Sequence, residues 1–379
     1  MNSPETQPPP QEKPLDDIVS KGIDVALQTI KERHEDSEHG LDFHNRKHTL
    51  QVAERTQKIA QALGFDEKKT AKAQLAALFH DTEQRGYAIS NKYHQMLVNE
   101  DGQILLSTDQ GETSISGEKG DRLNSDDLNP NYGMFKRFGG DNESSSFNEL
   151  REYLTKEENQ GVFTEDDIKD LEEVFTGTIP GFDPEKMAIT QPNITSESQD
   201  LAIAIAMADL GAAGMEGSES LIYDGDANFR EEHMKWSYEL RQAAAEGKLS
   251  ELSEDDKDAI TAKMIGWTKF QKKIAADQRG FFEERMKWLA DKGTDLSKTQ
   301  ALNDLFPTFK DDGAFQAEIT KIDAKIAERE AMGFEELVQD MYPDIEEASE
   351  RTDFADTEAK QAYIDQEAID ALREKIQNL

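Results

Sequence analysis

Two histidines and two aspartates in this chain have the types and the order of a metal-ligating set: His48 in FHNRKHT, the pair His80-Asp81 in LAALFHDTEQ, and Asp209 far downstream in IAIAMADLGAAG. Imidazole nitrogens and carboxylate oxygens together suit a divalent first-row cation, and two of each leave positions on an octahedral ion for water and substrate. Six of the seven histidines fall within the first 94 residues, so the imidazoles are gathered locally and the last carboxylate must be brought in by the fold. A carboxylate buried without a partner is costly, and the apolar segment 201–214 holds no lysine or arginine, so Asp209 needs a cation or hydrogen-bond donors from elsewhere. A distant arginine is the alternative to a metal. A lone histidine in the place of His48 would more often be a satisfied core residue; the ordered set, rather than any single member, points to metal.

The elements that must position these groups read as helices nearly throughout. Residues 1–16, with prolines at 4, 8, 9, 10 and 14, are expected to be disordered. A helix then carries Ile18, Ile23, Val25, Leu27 and Ile30. From His48 onward, His48, Val52, Arg55, Ile59 and Leu63 share one face of a 3.6-residue repeat. After the turn GFDEKK, the next helix puts Ala71, Leu75, Leu78 and Phe79 inward and delivers His80-Asp81 at its C-terminal end. The segment 201–213 is apolar all round, which predicts a central buried helix with Asp209 inside it.

Between these lie a polar, glycine-rich insertion at about 99–140 without sustained period, and a helix from Asp141 with Glu143, Phe147, Leu150 and Leu154 on one face. Insertions of that kind are functional lids or disordered segments. Thr164 to Asp167 resembles a capping box with Asp in its last place, opening a helix with Ile168, Leu171 and Phe175 inward; TIPGFDPEK breaks the pattern. Beyond 218, amphipathic helices carry Phe229, His233, Trp236 and Leu240, then Ile260, Met264 and Trp267, then Phe315, Ile319 and Ile322: core signals and little chemistry. No strand-like alternation is sustained. The expected architecture is all-α: a metal-binding bundle over 17–217, a helical region over 218–343 packed on it, and an acidic peripheral helix or loose tail over 344–379.

Composition narrows the partners. A net charge of -36 repels nucleic-acid backbones and anionic membranes, so a nucleic-acid duplex is not expected as a partner. Cysteine is absent, which excludes disulfides and thiolate zinc sites. No apolar run approaches the ~20 residues of a membrane span, the N-terminus lacks a signal-peptide pattern, and a cytoplasmic protein is expected.

The order H, then HD, then D on helices resembles the HD superfamily of metal-dependent phosphohydrolases, and FHNRKHT resembles the HN-x-x-H start of its cyclic-nucleotide phosphodiesterase-like branch. The similarity covers roughly 41–214. It implies an HD-domain helical bundle, with His48, His80, Asp81 and Asp209 as ligands of one or two divalent ions (Mn, Mg, Fe, Zn, Co or Ni). It further implies His44 as general acid on the leaving oxygen, Asn45 as support, and Asp81 as a bridge between ions. The implied substrate is a small-molecule phosphoester, plausibly a nucleotide, attacked by metal-activated water. The histidine pair that completes many two-metal members is missing, since no histidine occurs between His94 and His233. Glu143 is the candidate to fill that gap, by binding a second ion or holding a water; the alternative is an acidic residue favoured in a first helical turn. Arg85, Lys136 and Arg137 are candidates to clamp phosphate oxygens, or else only offset local acidity. His94 is a candidate for the pocket rim, whereas His34, His39 and His233 are assigned no catalytic part. Competing readings are a non-catalytic metal- or ligand-binding regulator and a diiron oxygenase on the same scaffold.

Overall fold

Asn45 and Gly64 bracket the helix on which the rest is built. The Asn45 carboxamide oxygen accepts from the backbone N–H groups of Lys47 and His48, at 2.9 and 3.1 Å, and Gly64 closes the far end at φ 62°, a conformation that favours glycine. The computed structural model that reveals this describes residues 15–35, 40–88, 95–98, 104–108, 111–115, 135–183, 188–345 and 364–377.

The bundle begins with α1 (Leu15–Ile30), continued by a π turn over Lys31–Glu35, then α2 (Arg46–Leu63) and α3 (Glu67–Phe79). The five inward positions read on α2, from His48 to Leu63, are all buried. After the insertion come α4 (Asp141–Thr155), α5 (Glu165–Thr178) and α6 (Asp200–Asp209). The Thr164–Asp167 capping box forms as the sequence suggests, with Thr164 N–H donating to Asp167 Oδ2 at 2.8 Å. Residues 201–208 of α6 are buried on every side, because α2, α3, α5 and later α10 all pack against it. A helix with no solvated face can only sit at the centre.

The chain then adds α7 (Ala212–Met215), α8 (Ser218–Glu232), α9 (Met234–Ala245), the long α10 (Glu254–Asp291), α11 (Leu296–Asp304), α12 (Asp312–Ala331) and α13 (Phe334–Met341). Leu221, Phe282, Leu289 and Ile322 from these helices, and Phe306 from the turn after α11, join the same hydrophobic cluster as α1–α6, so the core runs without a break across position 218. Phe229, Leu240, Met264, Leu337 and Tyr342 build a second cluster beside it. The last helix, α14 (Gln366–Gln377), packs on α2 and buries Ile369 and Ile376 in the main core. Acidity suggested a periphery or a loose tail for this segment; its two isoleucines, seven residues apart on one face, make it integral instead.

The framework is helical, with short strands added where the sequence showed no sustained alternation. β1 (Gly86–Ala88) pairs antiparallel with β5 (Phe135–Arg137), so the excursion opens at Gly86 and closes at Arg137 rather than spanning 99–140. Within it β2 (Gln95–Val98), β3 (Ile104–Thr108) and β4 (Gly111–Ile115) form an antiparallel meander, and β6 (Gly181–Asp183) pairs with β7 (Ala188–Thr190) in the expected break. Strands of three to five residues are too short to show a period. Among the described residues no helix is long and apolar enough to cross a membrane.

Candidate metal centre

The Asn45 cap fixes the first turn of α2 and thereby the backbone of His48. α3 ends at His80, which leaves His80 and Asp81 turning off the helix together, and Asp209 is the last residue of α6. These three helix termini meet. His48 Nε2 lies 3.3 Å from Asp81 Oδ2 and 3.7 Å from Asp209 Oδ1; His80 Nε2 lies 2.9 and 3.8 Å from the same two atoms. His48, His80 and Asp209 each offer a ligand atom, all within 4.8 Å of one another, and the group could hold a metal ion. Donors at bond lengths of ~2.1 Å from a common ion stand roughly 3–3.5 Å apart, and the contacts here, 2.9–3.8 Å, bracket that range.

The hydrogen bonds around the group fit a cation. His80 Nδ1 donates to the Ala77 carbonyl at 2.8 Å, which leaves the lone pair of a neutral ring on Nε2, aimed between two carboxylates. That nitrogen is buried, 2.9 Å from Asp81 Oδ2. A lone pair facing two anions is repulsive unless a proton or a metal stands between them. In the metal-free protein the proton does so: burial pushes His80 down, but the Asp81 carboxylate and then Asp209 outweigh it and hold the imidazole up at about 9. Burial pushes Asp81 the other way, and His80, His44 and His48 together overcome it and keep the carboxyl well below its usual range. The other oxygen of Asp81 accepts from Gln84 at 2.7 Å, leaving Oδ2 for the imidazoles.

Asp209 has no direct arginine partner among the described residues. Two buried arginines approach it, and both are engaged elsewhere. Arg55 makes a two-pronged pair with Glu216 at 2.6 and 2.7 Å, and Arg285 donates to Gln191 Oε1 at 2.6 Å. Burial drags Arg285 down to about 10, with Asp209 and Glu284 opposing.

His44 stands beside the group, its ring centroid 5.7 Å from that of His48. Its Nδ1 donates to Glu231 Oε1 at 2.7 Å, and the N–H groups of Phe43 and His44 both donate to Glu231 Oε2 at 3.0 Å. The Arg137 guanidinium lies against the same imidazole, close to both of its nitrogens. Burial lowers the His44 pKa, Arg137 lowers it further, and Glu231 and Asp81 oppose them. Glu231 is pushed up by burial yet held down at about 2, chiefly by His44 and then Arg137. His34, assigned no part from the sequence, donates from Nδ1 to the His44 carbonyl at 2.8 Å and so fixes the backbone there.

Other expected members are placed differently. Glu143 is the third residue of α4 and accepts from Gly140 N–H at 2.5 Å, closing the start of its own helix, with Gly140 at φ 89°. It lines a cavity of about 330 Å³ between α4 and α5, with Phe147, Ile168 and Phe175, rather than touching the His/Asp group. The first-turn role is present, and Asp81 and Arg137 still act on this carboxyl through space: burial and then Asp81 push it up, against the Gly140 N–H and Arg137. The Arg85 side chain is 60 % exposed and turns outward to Ser145 and Glu83, because its backbone is tied to Asn142. Arg137 is brought in; His94 and the Lys136 side chain lie outside the described residues. Asn45 acts through the helix cap and through its amide, which donates to the Asp42 carbonyl at 2.8 Å.

Glu231, Gln84, Gln191 and Arg285 were not legible as site residues. Nothing in an acidic sequence separates Glu231 from its neighbours, and only Gln84, three residues after Asp81, carried a usable signal of proximity. In comparisons with protein-family models, with curated proteins and with solved structures, nothing matches this chain.

Proposed function

We propose that the protein is a metal-dependent phosphohydrolase of the HD type, cleaving a small phosphoester, with a nucleotide as the favoured class. The observation that carries this reading is the meeting of His48, His80, Asp81 and Asp209 at three helix termini, with His80 Nε2 set 2.9 Å from Asp81 Oδ2 and 3.8 Å from Asp209 Oδ1. These four residues would hold one or two divalent ions (Mn, Mg, Fe, Zn, Co or Ni), which would supply Lewis acidity and lower the pKa of a bound water so that hydroxide is available near neutral pH.

The remaining chemistry belongs to the chain. Asp81, with Oδ1 tied to Gln84, keeps Oδ2 at the centre of the group between His48 and His80, where it would help hold the ion. Arg137 is the charged group at the mouth, and its guanidinium suits two oxygens of a phosphoryl group. Once engaged by that anion it moves off the His44 ring, and the positive charge that adds to burial in lowering His44 is offset. Glu231 then favours the imidazolium, which donates its Nε2 proton to the departing alkoxide. Substrate binding and protonation of the acid are thus linked through one arginine.

The test is metal content and turnover of a generic phosphodiester, followed side by side. His80→Ala and Asp209→Ala are expected to lose metal and activity together. His44→Ala is expected to keep the metal and lose about 10²–10⁴-fold in rate. Loss of metal from His44→Ala makes it a ligand, and full metal binding with no turnover across a broad phosphoester panel turns the reading to a binding or regulatory protein.

A further inference from the structure

Asp209 is a ligand whose position depends on which of its oxygens is held back. Its Oδ2 accepts from Gln191 Nε2 at 3.1 Å, while Oδ1 faces His48 and His80. Gln191 is 7 % exposed and follows directly on β7. Its Oε1 accepts from Arg285 Nη2 at 2.6 Å, and Arg285, 4 % exposed on α10, also donates from Nη1 to the Ala206 carbonyl on α6. A guanidinium can only donate, so Gln191 must present Oε1 to it and therefore Nε2 to Asp209; the amide has no freedom to flip.

The arrangement is costly as it stands. Arg285 is a buried cation with no carboxylate paired to it directly among the described residues, and Asp209 is the carboxylate one amide away. A direct Arg285–Asp209 pair would be the lower-energy arrangement of those two groups alone. It would also turn the carboxylate from the histidines.

We propose that Gln191 is a positioning residue that acts as a wedge, holding Asp209 off Arg285 so that Oδ1 stays free for a cation between His48 and His80. The C-terminal part of the chain then contributes to the site through α10, which carries Arg285. This rests on reading the His/Asp group as a cation site and adds to it the device that keeps the last ligand available.

Manganese alone, titrated calorimetrically into the metal-free full-length protein, tests the wedge without any turnover. Gln191→Met keeps the volume and removes both hydrogen bonds; it is expected to weaken Mn²⁺ binding by about 10–100-fold. Arg285→Met alone removes both the competing cation and the donor that orients the amide, and is expected to weaken Mn²⁺ binding by less than Gln191→Met does. Added to Gln191→Met, the same substitution removes the competing cation and is expected to recover at least about ten-fold. A purely structural role predicts the opposite sign, with the double variant no tighter than Gln191→Met and both losing melting temperature in step. Unchanged Mn²⁺ affinity in Gln191→Met, or no recovery in the double variant, overturns the wedge. If Gln191→Met does not fold, Arg285→Lys decides: a shorter cation still orients the amide and keeps affinity, and a ten-fold loss refutes the scheme. Asp209→Asn separates the two failures, because Mn²⁺ affinity equal to wild type there removes the cation site itself.

Discussion

Glu231→Gln is the substitution that reports most directly on what His44 does. The variant keeps the side-chain shape and an oxygen for the Phe43 and His44 N–H groups, and removes the negative charge 2.7 Å from His44 Nδ1. A hydrogen bond to a charged partner is worth about 1.5–3 kcal/mol, so the imidazolium loses about one to two pKa units of support. His44 is already lowered, by burial first and Arg137 second, with Glu231 among the groups that oppose them, so the variant moves it further down. If His44 is the general acid, activity declines as pH rises through its pKa. The alkaline limb of kcat/KM then shifts about one to two units toward acid, and the rate near pH 7 falls about 10–100-fold. If His44 is instead a base, the acidic limb is the one that moves, and activity at neutral pH is kept. The assay is the pH profile of the metal-loaded protein on a generic phosphodiester, with metal content measured at each point. An unshifted profile, or movement of the acidic limb alone, refutes the acid assignment; loss of metal would place Glu231 among the groups that support the ligands.

In the metal-free protein, the raised pKa of His80 makes stability depend on pH with a definite sign. His80 binds its proton more tightly folded than unfolded, so the contribution is complete below the unfolded value near 6.5 and is lost as pH rises through about 9. Denaturant titrations across that window are expected to show a loss on the order of 1–3 kcal/mol, reduced when Mn²⁺ takes the place of the proton; a flat apo profile would contradict the geometry around Nε2. Ile369→Ala tests whether α14 belongs to the core: Ile369 is 2 % exposed, so a cost of about 2–5 kcal/mol is expected in the same titration, against less than about 0.5 kcal/mol for a peripheral helix.

Which residues form helices was legible because the signals are local. The periodic face from His48 to Leu63, the Thr164 box and the wholly apolar α6 are each set by neighbours within a few turns. The insertion, read at about 99–140, and the buried face of the acidic C-terminal helix within 344–379 were less legible for the same reason. β1 and β5 are three residues each and pair across the whole insertion, and α14 is acidic overall although two isoleucines make its buried face.

The His/Asp group that could hold a cation was legible too, since a carboxylate in an all-apolar helix has few ways to be satisfied, and two histidine-bearing helix ends precede it in order. Sequence by itself determined the helical class, the helix termini that bear His48, His80-Asp81 and Asp209, and the chemistry those side chains favour. Only the tertiary structure decided who stands behind them. Glu231 reaches His44 from α8, and Arg285 reaches Asp209 through Gln191 from α10. Glu143 and Arg85 are spent on the N-terminal turn of α4. A side chain's type fixes what it can bond to, but in a chain rich in acids and bases the partner is chosen by the backbone that brings it within 3 Å, and that is a property of packing rather than of order along the chain.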